Sequence, residues 1–249
     1  MLPLVVLLAF GAGLLDAVLG MGYGTILAPL LLLSGYRVPE LVPALLLSQC
    51  AAGLVGARFH HVNGNASFQR GSVHLRAALV LMAAGFAGGL LGPWVARRVS
   101  EAAIRIYMGV MIFGLGCWLV AGRRAPRFSW GRLMTLGIVA SVNKALTGGG
   151  YGPLLAGGQM MAGLNPRAAV AITNLSEAVV SLAALGGYAW WFAASWRWDL
   201  VLAVTCGAAL AAPLGARAVR RVGAEALRTA VGIATALLGL LALLSVRGA

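Results

Sequence analysis

The sequence predicts an all-α integral membrane protein built of two homologous, inverted repeats. Three observations carry this. Hydrophobic residues make up 61% of the 249 residues and charged residues 10%, far from the roughly half apolar and quarter charged mix of a soluble domain. Mean hydropathy is +0.91. The apolar residues form helix-length runs without the polar alternation that a membrane strand requires. Finally, the chain repeats itself at a fixed offset. Asp16 to Gly24 (DAVLGMGYG) aligns with Lys144 to Gly152 (KALTGGGYG), 128 residues on. At that offset Gly35 meets Gly163 and Ser48-Gln49 meets Ser176-Glu177. The halves are 1–122 and 123–249, joined by the basic stretch Arg123 to Arg132.

Each half holds five apolar pieces. In the first they are 2–19, 22–34, 39–58, 75–96 and 104–121; in the second, 132–147, 150–162, 167–190, 199–217 and 226–246. A span needs about 20 apolar residues, so the chain has about eight to ten hydrophobic helical segments. The second piece of each half is too short to cross alone. It follows the first across a glycine-rich turn, so each pair reads as a re-entrant or broken helix hairpin, and three transmembrane helices follow it. Full crossing by both members of the pair is the alternative. Either way the crossings per half are odd, which inverts one half relative to the other. Odd parity places 12 of the 18 arginines on one side and 6 on the other, making the richer side cytoplasmic.

Irregular backbone at bilayer depth is tolerated only against protein or a wet cavity. Gly20, Gly22 and Gly24 around Tyr23, and Gly148, Gly149, Gly150 and Gly152 around Tyr151, are therefore the candidate site. A short helix begins after each turn. Its first N–H groups lack intrahelical partners and carry the positive dipole end, which suits an anion. Asp16 and Lys144 stand four residues before the two glycine runs. Lys144, the only lysine, offers charge for an anion; a structural ion pair with Asp16 is the competing reading. Thr147, Ser48, Gln49, Asn174 and Ser176 are candidate hydrogen-bonding groups. Glu177 lies in an apolar helix on one stripe with Thr173, Asn174 and Ser181, a proton-carrying or gating group or else a packing one. Asp16 shares the coupling or gating role.

Other features read as architecture. Gly207, Ala211 and Gly215 make a small-residue packing face. Trp190, Trp191, Trp196 and Trp198 form an interfacial belt. Cys50, Cys117 and Cys206 read as small buried residues. The His60-His61 pair reads as a hydrated loop and not a zinc site. Asp199 and Glu40 read as helix-start residues, and Glu225 as a surface partner of a nearby arginine. The net charge of +13 reads as lipid-facing arginine, not nucleic-acid binding. No cofactor or metal is expected. An intramembrane enzyme would need a nucleophile and base, or facing carboxylates, in a recognisable pattern, and none occurs.

The doubled Asp-Ala…Gly-x-Gly-Tyr-Gly and Gly-Gly-Gly-Tyr-Gly-Pro turns resemble those of the TauE/SafE sulfite exporter family, the TSUP permeases. Ala171 to Glu177 is similar to that family's Gly-Ser-x-Asn-x-x-Glu segment, and Phe59 to Asn65 to its loop ending in Gly-Asn. The resemblance covers essentially the whole chain. It implies a membrane carrier for sulfite, thiosulfate, sulfonates or related small anions; a bacterial plasma membrane and a coupling proton or cation are expected beside it. Gln49 stands where the family often has Glu, and Lys144 where it often has a small or acidic residue. A carrier or channel for another small anion and a non-transporting membrane subunit are the rival readings.

Overall fold

The computed structural model describes residues 2–36, 38–96, 101–121, 129–147, 151–192 and 196–245. Among them are ten helices and no strand. The first half gives α1 (Leu2–Leu19), α2 (Tyr23–Leu33), α3 (Val38–Val62), α4 (Val73–Ala96) and α5 (Glu101–Val120). The second gives α6 (Trp130–Thr147), α7 (Tyr151–Met161), α8 (Pro166–Phe192), α9 (Trp198–Arg221) and α10 (Ala224–Ser245). Among the described residues five helices are long and apolar enough to cross a membrane: α1, α9, and the parts of α3, α8 and α10 over Glu40–Val62, Pro166–Gly186 and Ala224–Leu241. Helices α2 and α7 have 11 residues each. At 1.5 Å per residue they reach about 16 Å, half of a hydrocarbon core of about 30 Å.

The repeat is visible in local geometry. Both short helices end the same way, with glycine in the left-handed region, Gly35 at φ +91° and Gly163 at φ +97°. The next residue returns a hydrogen bond to the last turn in each case, Tyr36 N–H to the Leu31 carbonyl at 3.1 Å and Leu164 N–H to the Gln159 carbonyl at 3.0 Å. This is the glycine cap that satisfies orphan carbonyls at a helix end. A Cβ is strained at that φ, which explains a glycine at both equivalent positions.

Packing follows the same correspondence. Helix α1 lies on α9, and its counterpart α6 lies on α4; α3 pairs with its own counterpart α8, and α5 with α10. The contacts use small residues, as close helix approach in lipid requires. Gly13 sits against Ala208 and Ala211, Gly207 against Val6 and Ala9, and Gly215 against Ala17. On the other side Gly137 meets Leu81 and Ala84, and the Ser141 hydroxyl donates to the Ala84 carbonyl at 2.9 Å. Large apolar residues such as Leu7, Leu202, Leu210 and Leu241 are exposed on the outer faces. On helices able to cross a membrane these faces meet lipid.

Two expectations are corrected here. Helix α3 runs on to Val62, so His60 and His61 are helical, not in a loop, and His60 is fully buried. Its ring finds partners within the protein, which the apolar pattern alone did not reveal. Cys117 and Cys206 lie on exposed helix faces and only Cys50 is buried among the three. A thiol is apolar enough to face lipid as readily as core, so apolar flanks did not decide its burial. Arg228 pairs with exposed Glu225 at 3.2 Å, and Asp199 in the first turn of α9 pairs with Arg197 through two hydrogen bonds.

Candidate functional site

The first turn is built by three glycine-rich residues between α1 and α2. The Gly20 N–H closes α1 on the Asp16 carbonyl at 2.6 Å. Gly20 and Gly22 then take φ +72° and +112°, angles that side chains other than glycine rarely adopt. Gly22 also accepts the first turn bond of α2, from Ile26 N–H at 2.9 Å. Gly24 allows another close approach, since a Cβ there would lie 3.2 Å from the Gln49 amide nitrogen.

This turn meets the start of α7. A Cβ added to Gly152 would lie 2.7 Å from the Gly20 carbonyl oxygen and 2.8 Å from Met21 Cα. Gly20 in turn rests on Ala156 of α7 and Val170 of α8. The first hairpin and the second short helix are therefore in backbone contact at the interface of the halves. Gly148, Gly149 and Gly150 lie outside the described residues, as do the side chains of Lys144 and Thr147.

Tyr23 and Tyr151, the first residues of the two short helices, are both buried. The Tyr23 hydroxyl accepts from Ser48 at 2.8 Å and donates to the Val204 carbonyl at 3.2 Å. Tyr151 stands beside Ser176 in the equivalent position. Each serine also turns onto carbonyls of its own helix, Ser48 onto Leu45 and Ser176 onto Ile172 and Thr173. Such back-bonding is the usual habit of a helical serine. So the two serines expected as substrate donors stand against the tyrosines, which pin each short helix to the longer one behind it.

The remaining polar residues converge on one cavity. Asp16 and Tyr23, Gln49 of α3, and Asn174 and Glu177 of α8 line it, with Gly53 and Ala212 among the small residues that leave it room. Both halves contribute. The Asp16 carboxylate accepts from the Tyr23 N–H at 3.4 Å. An internal carboxylate thus takes a first-turn N–H of α2 that an anion was expected to use, at the favourable end of the helix dipole. Gln49 accepts from Ser181 at 3.4 Å. Glu177 and Asn174 are 6% and 4% exposed, so no bulk water solvates them. The cavity is small, about 10 Å³, close to the least that holds one water molecule. A sulfur oxyanion does not fit in this conformation.

The stripe of Thr173, Asn174, Glu177 and Ser181 is buried throughout, but it is shared among neighbours. Thr173 accepts from Gln159 of α7 at 2.7 Å, whereas Asn174 and Ser181 turn to α3. Two polar groups at the centre, His60 and Asn65, were missed from the sequence. His60 lies between two amides, 2.9 Å from Asn65 Nδ2 through its Nδ1 and 3.2 Å from Asn174 Nδ2 through its Nε2. Asn65 is held in turn by the Ala216 carbonyl at 2.8 Å. The missed signal was helical spacing. Gln49, Gly53, Gly56 and His60 recur at steps of four, three and four, which puts them on one face of α3. That face packs on Asn174 and Ala178.

Comparison with known proteins agrees with this architecture. The family described as sulfite exporter TauE/SafE matches residues 5–242. The chain is similar to the probable membrane transporter protein YtnM of Bacillus subtilis (strain 168), at 24% identity over 233 residues, covering 88% of this chain and 75% of that protein. No solved structure matches. The family consists of membrane transporters and not enzymes. With a match across nearly its whole length and helices fit to cross a bilayer, the chain is an integral membrane transporter belonging to the TauE/SafE sulfite exporter family.

Proposed function

We propose that the chain is a secondary carrier of small sulfur-containing anions, sulfite, thiosulfate, sulfonate or a close relative. It alternates access about the junction of its two glycine hairpins. The observation that carries this reading is the backbone contact between Gly152 and the Gly20–Met21 turn. Two short helices, each led by a buried tyrosine, meet the interface of two homologous halves, 1–122 and 123–249. That is the layout of carriers whose substrate site lies between inverted repeats at the bilayer middle. The exchange of packing partners between halves supports a two-fold relation between the repeats, which the odd crossing number makes inverted. The small size of the cavity supports a tight form that opens by rocking one half against the other.

In this reading Lys144 balances the anion's charge. Thr147, Gly148, Gly149 and Gly150 offer hydroxyl and backbone N–H donors, and Gln49 and Asn174 add amide groups. Asp16 and Glu177 carry the coupling proton or cation, or gate the path. The bacterial plasma membrane is the proposed location. The chain has no nucleotide-binding pattern, so an ion or substrate gradient drives it. The chemistry of the ligand follows from its size and charge: a compact anion with several oxygen acceptors satisfies converging donors better than a bulky or neutral solute does.

The test is equilibrium binding of labelled sulfite to detergent-purified protein, competed by thiosulfate, taurine, sulfoacetate, sulfate and chloride. Saturable binding displaced by sulfur anions and not by chloride is expected. Lys144→Ala is expected to weaken it by at least about 10-fold, as loss of a charge-assisted contact costs on the order of 1.5–3 kcal/mol, while the melting temperature stays within a few degrees. Folded protein that binds none of these anions would overturn the substrate class. A melting temperature that collapses in Lys144→Ala would return the lysine to the role of a structural ion-pair partner.

A further inference from the structure

A neutral imidazole has one nitrogen that accepts and one that donates. His60 meets an amide group at each nitrogen, Asn65 at Nδ1 and Asn174 at Nε2. Two amide N–H groups cannot both donate to it. Asn65 is fixed, because its Nδ2 also faces the Ala216 carbonyl at 2.8 Å and a carbonyl only accepts. So Asn65 donates to Nδ1, and the ring proton resides on Nε2. The Ala17 backbone also lies beside the ring. An Nε2–H requires oxygen from Asn174. The two ends of an amide are distinguished by their hydrogen-bonding partners, and here the partners place Asn174 Oδ1 on His60 and its NH₂ at the other end.

That other end is the informative one. It is buried, in a residue 4% exposed that lines the central cavity, and no N–H or O–H group of the described residues donates to it, so nothing there calls for an oxygen. A buried amide N–H without an acceptor costs about 1–3 kcal/mol. We propose that His60 is a positioning residue that sets anion specificity, turning the Asn174 NH₂ toward the cavity so that it donates to an oxygen of the bound anion. The chain of command runs from the Ala216 carbonyl through Asn65 and His60 to Asn174. It joins α9, α3 and α8, so it also ties the donor's orientation to how the two halves sit. The repeat makes the site one-sided, since position 174 corresponds at the 128-residue offset to Leu46, which offers no hydrogen bond. The ligand part of this inference rests on the anion-carrier reading above; the tautomer and the amide orientation do not.

The experiment has two arms on the full chain in detergent. In the first, ¹⁵N-histidine NMR with His61→Gln and His74→Gln for assignment reads the His60 tautomer. The Nε2–H form is expected, and the Nδ1–H form overturns the inference whatever the substrate is. In the second, sulfite exchange is followed in proteoliposomes. Asn174→Asp replaces the donor by an acceptor and is expected to raise KM at least 10-fold. His60→Phe is expected to raise KM about 10-fold with Vmax within about threefold. His60→Gln, which can accept from Asn65 and donate to Asn174, restores KM to within about threefold. In an Asn174→Leu background His60→Phe adds nothing further, because its effect passes through the missing amide. An unchanged KM in Asn174→Asp, or an equal His60→Phe effect in both backgrounds, overturns the positioning role. If His60 carries Nε2–H but wild-type protein exchanges no sulfur anion, the carrier reading falls and the amide orientation stands.

Discussion

Gly152→Val is expected to slow substrate exchange about 100-fold while leaving the protein folded. The added Cβ alone would lie 2.7 Å from the Gly20 carbonyl oxygen and 2.8 Å from Met21 Cα. Both are backbone atoms, so no side-chain rotation relieves the clash, and the hairpin must withdraw from α7. A displacement there separates the tips that frame the proposed site. About 2.7 kcal/mol lost from the transport barrier gives the 100-fold. Exchange assays beside circular dichroism and size-exclusion profiles check it. Near-wild-type exchange would show that the hairpin contact is packing without a transport role.

Gly207→Val is expected to act on stability instead. Gly207 lets α9 approach α1 so closely that a Cβ would lie 2.5 Å from the Val6 carbonyl oxygen and 2.9 Å from Phe10 N. Overpacking a close interface costs about 1–3 kcal/mol, more when backbone must move. Backbone must move here, so the cost is about 3 kcal/mol, and at about 2–4 °C per kcal/mol for a chain of this size the melting temperature should fall by roughly 6–12 °C. The same substitution at Gly11, where a Cβ meets nothing within 4 Å, should change it by less than about 2 °C. Equal melting temperatures for the two variants would contradict the α1–α9 contact.

The contrast between those two glycines shows what the sequence could disclose. Spacing marked Gly207, Ala211 and Gly215 as a packing face, and that face lies on α1. The helix limits were legible because apolar runs end where lipid ends; α1 and α4 lie within two residues of the expected bounds. The 128-residue repeat predicted matching short helices, and Gly35 and Gly163 cap them alike. Membrane insertion makes such features strong, since every apolar run must satisfy its backbone internally.

The site was less legible, because polar side chains choose partners by three-dimensional proximity. Ser48 and Ser176 read as substrate donors, and each stands against a tyrosine 25 residues away in sequence, Ser48 donating to the Tyr23 hydroxyl. Asp16 read as a coupling or gating group beside the turn, and the sequence did not show that its carboxylate accepts from the Tyr23 N–H. His60 was assigned to a loop because it follows Arg58 and Phe59 at the end of an apolar run. Its burial depends on Asn65 and Asn174, and Asn174 is 114 residues away. Among the described residues that separation explains why the central network had no local signature, although the Gln49–Gly53–Gly56–His60 spacing was there to be read.

The central claim is a carrier that exchanges sulfur anions across the membrane. Counterflow in proteoliposomes tests it most directly, with purified protein exchanging external labelled sulfite against internal unlabelled sulfite, thiosulfate, taurine or sulfoacetate, and with sulfate and chloride as controls. The account predicts saturable accumulation of label driven by an internal sulfur anion and lost in Gly152→Val. Flux that follows the label's own gradient without counterflow would mean a channel, and no flux from folded protein would contradict the sulfur-anion carrier outright.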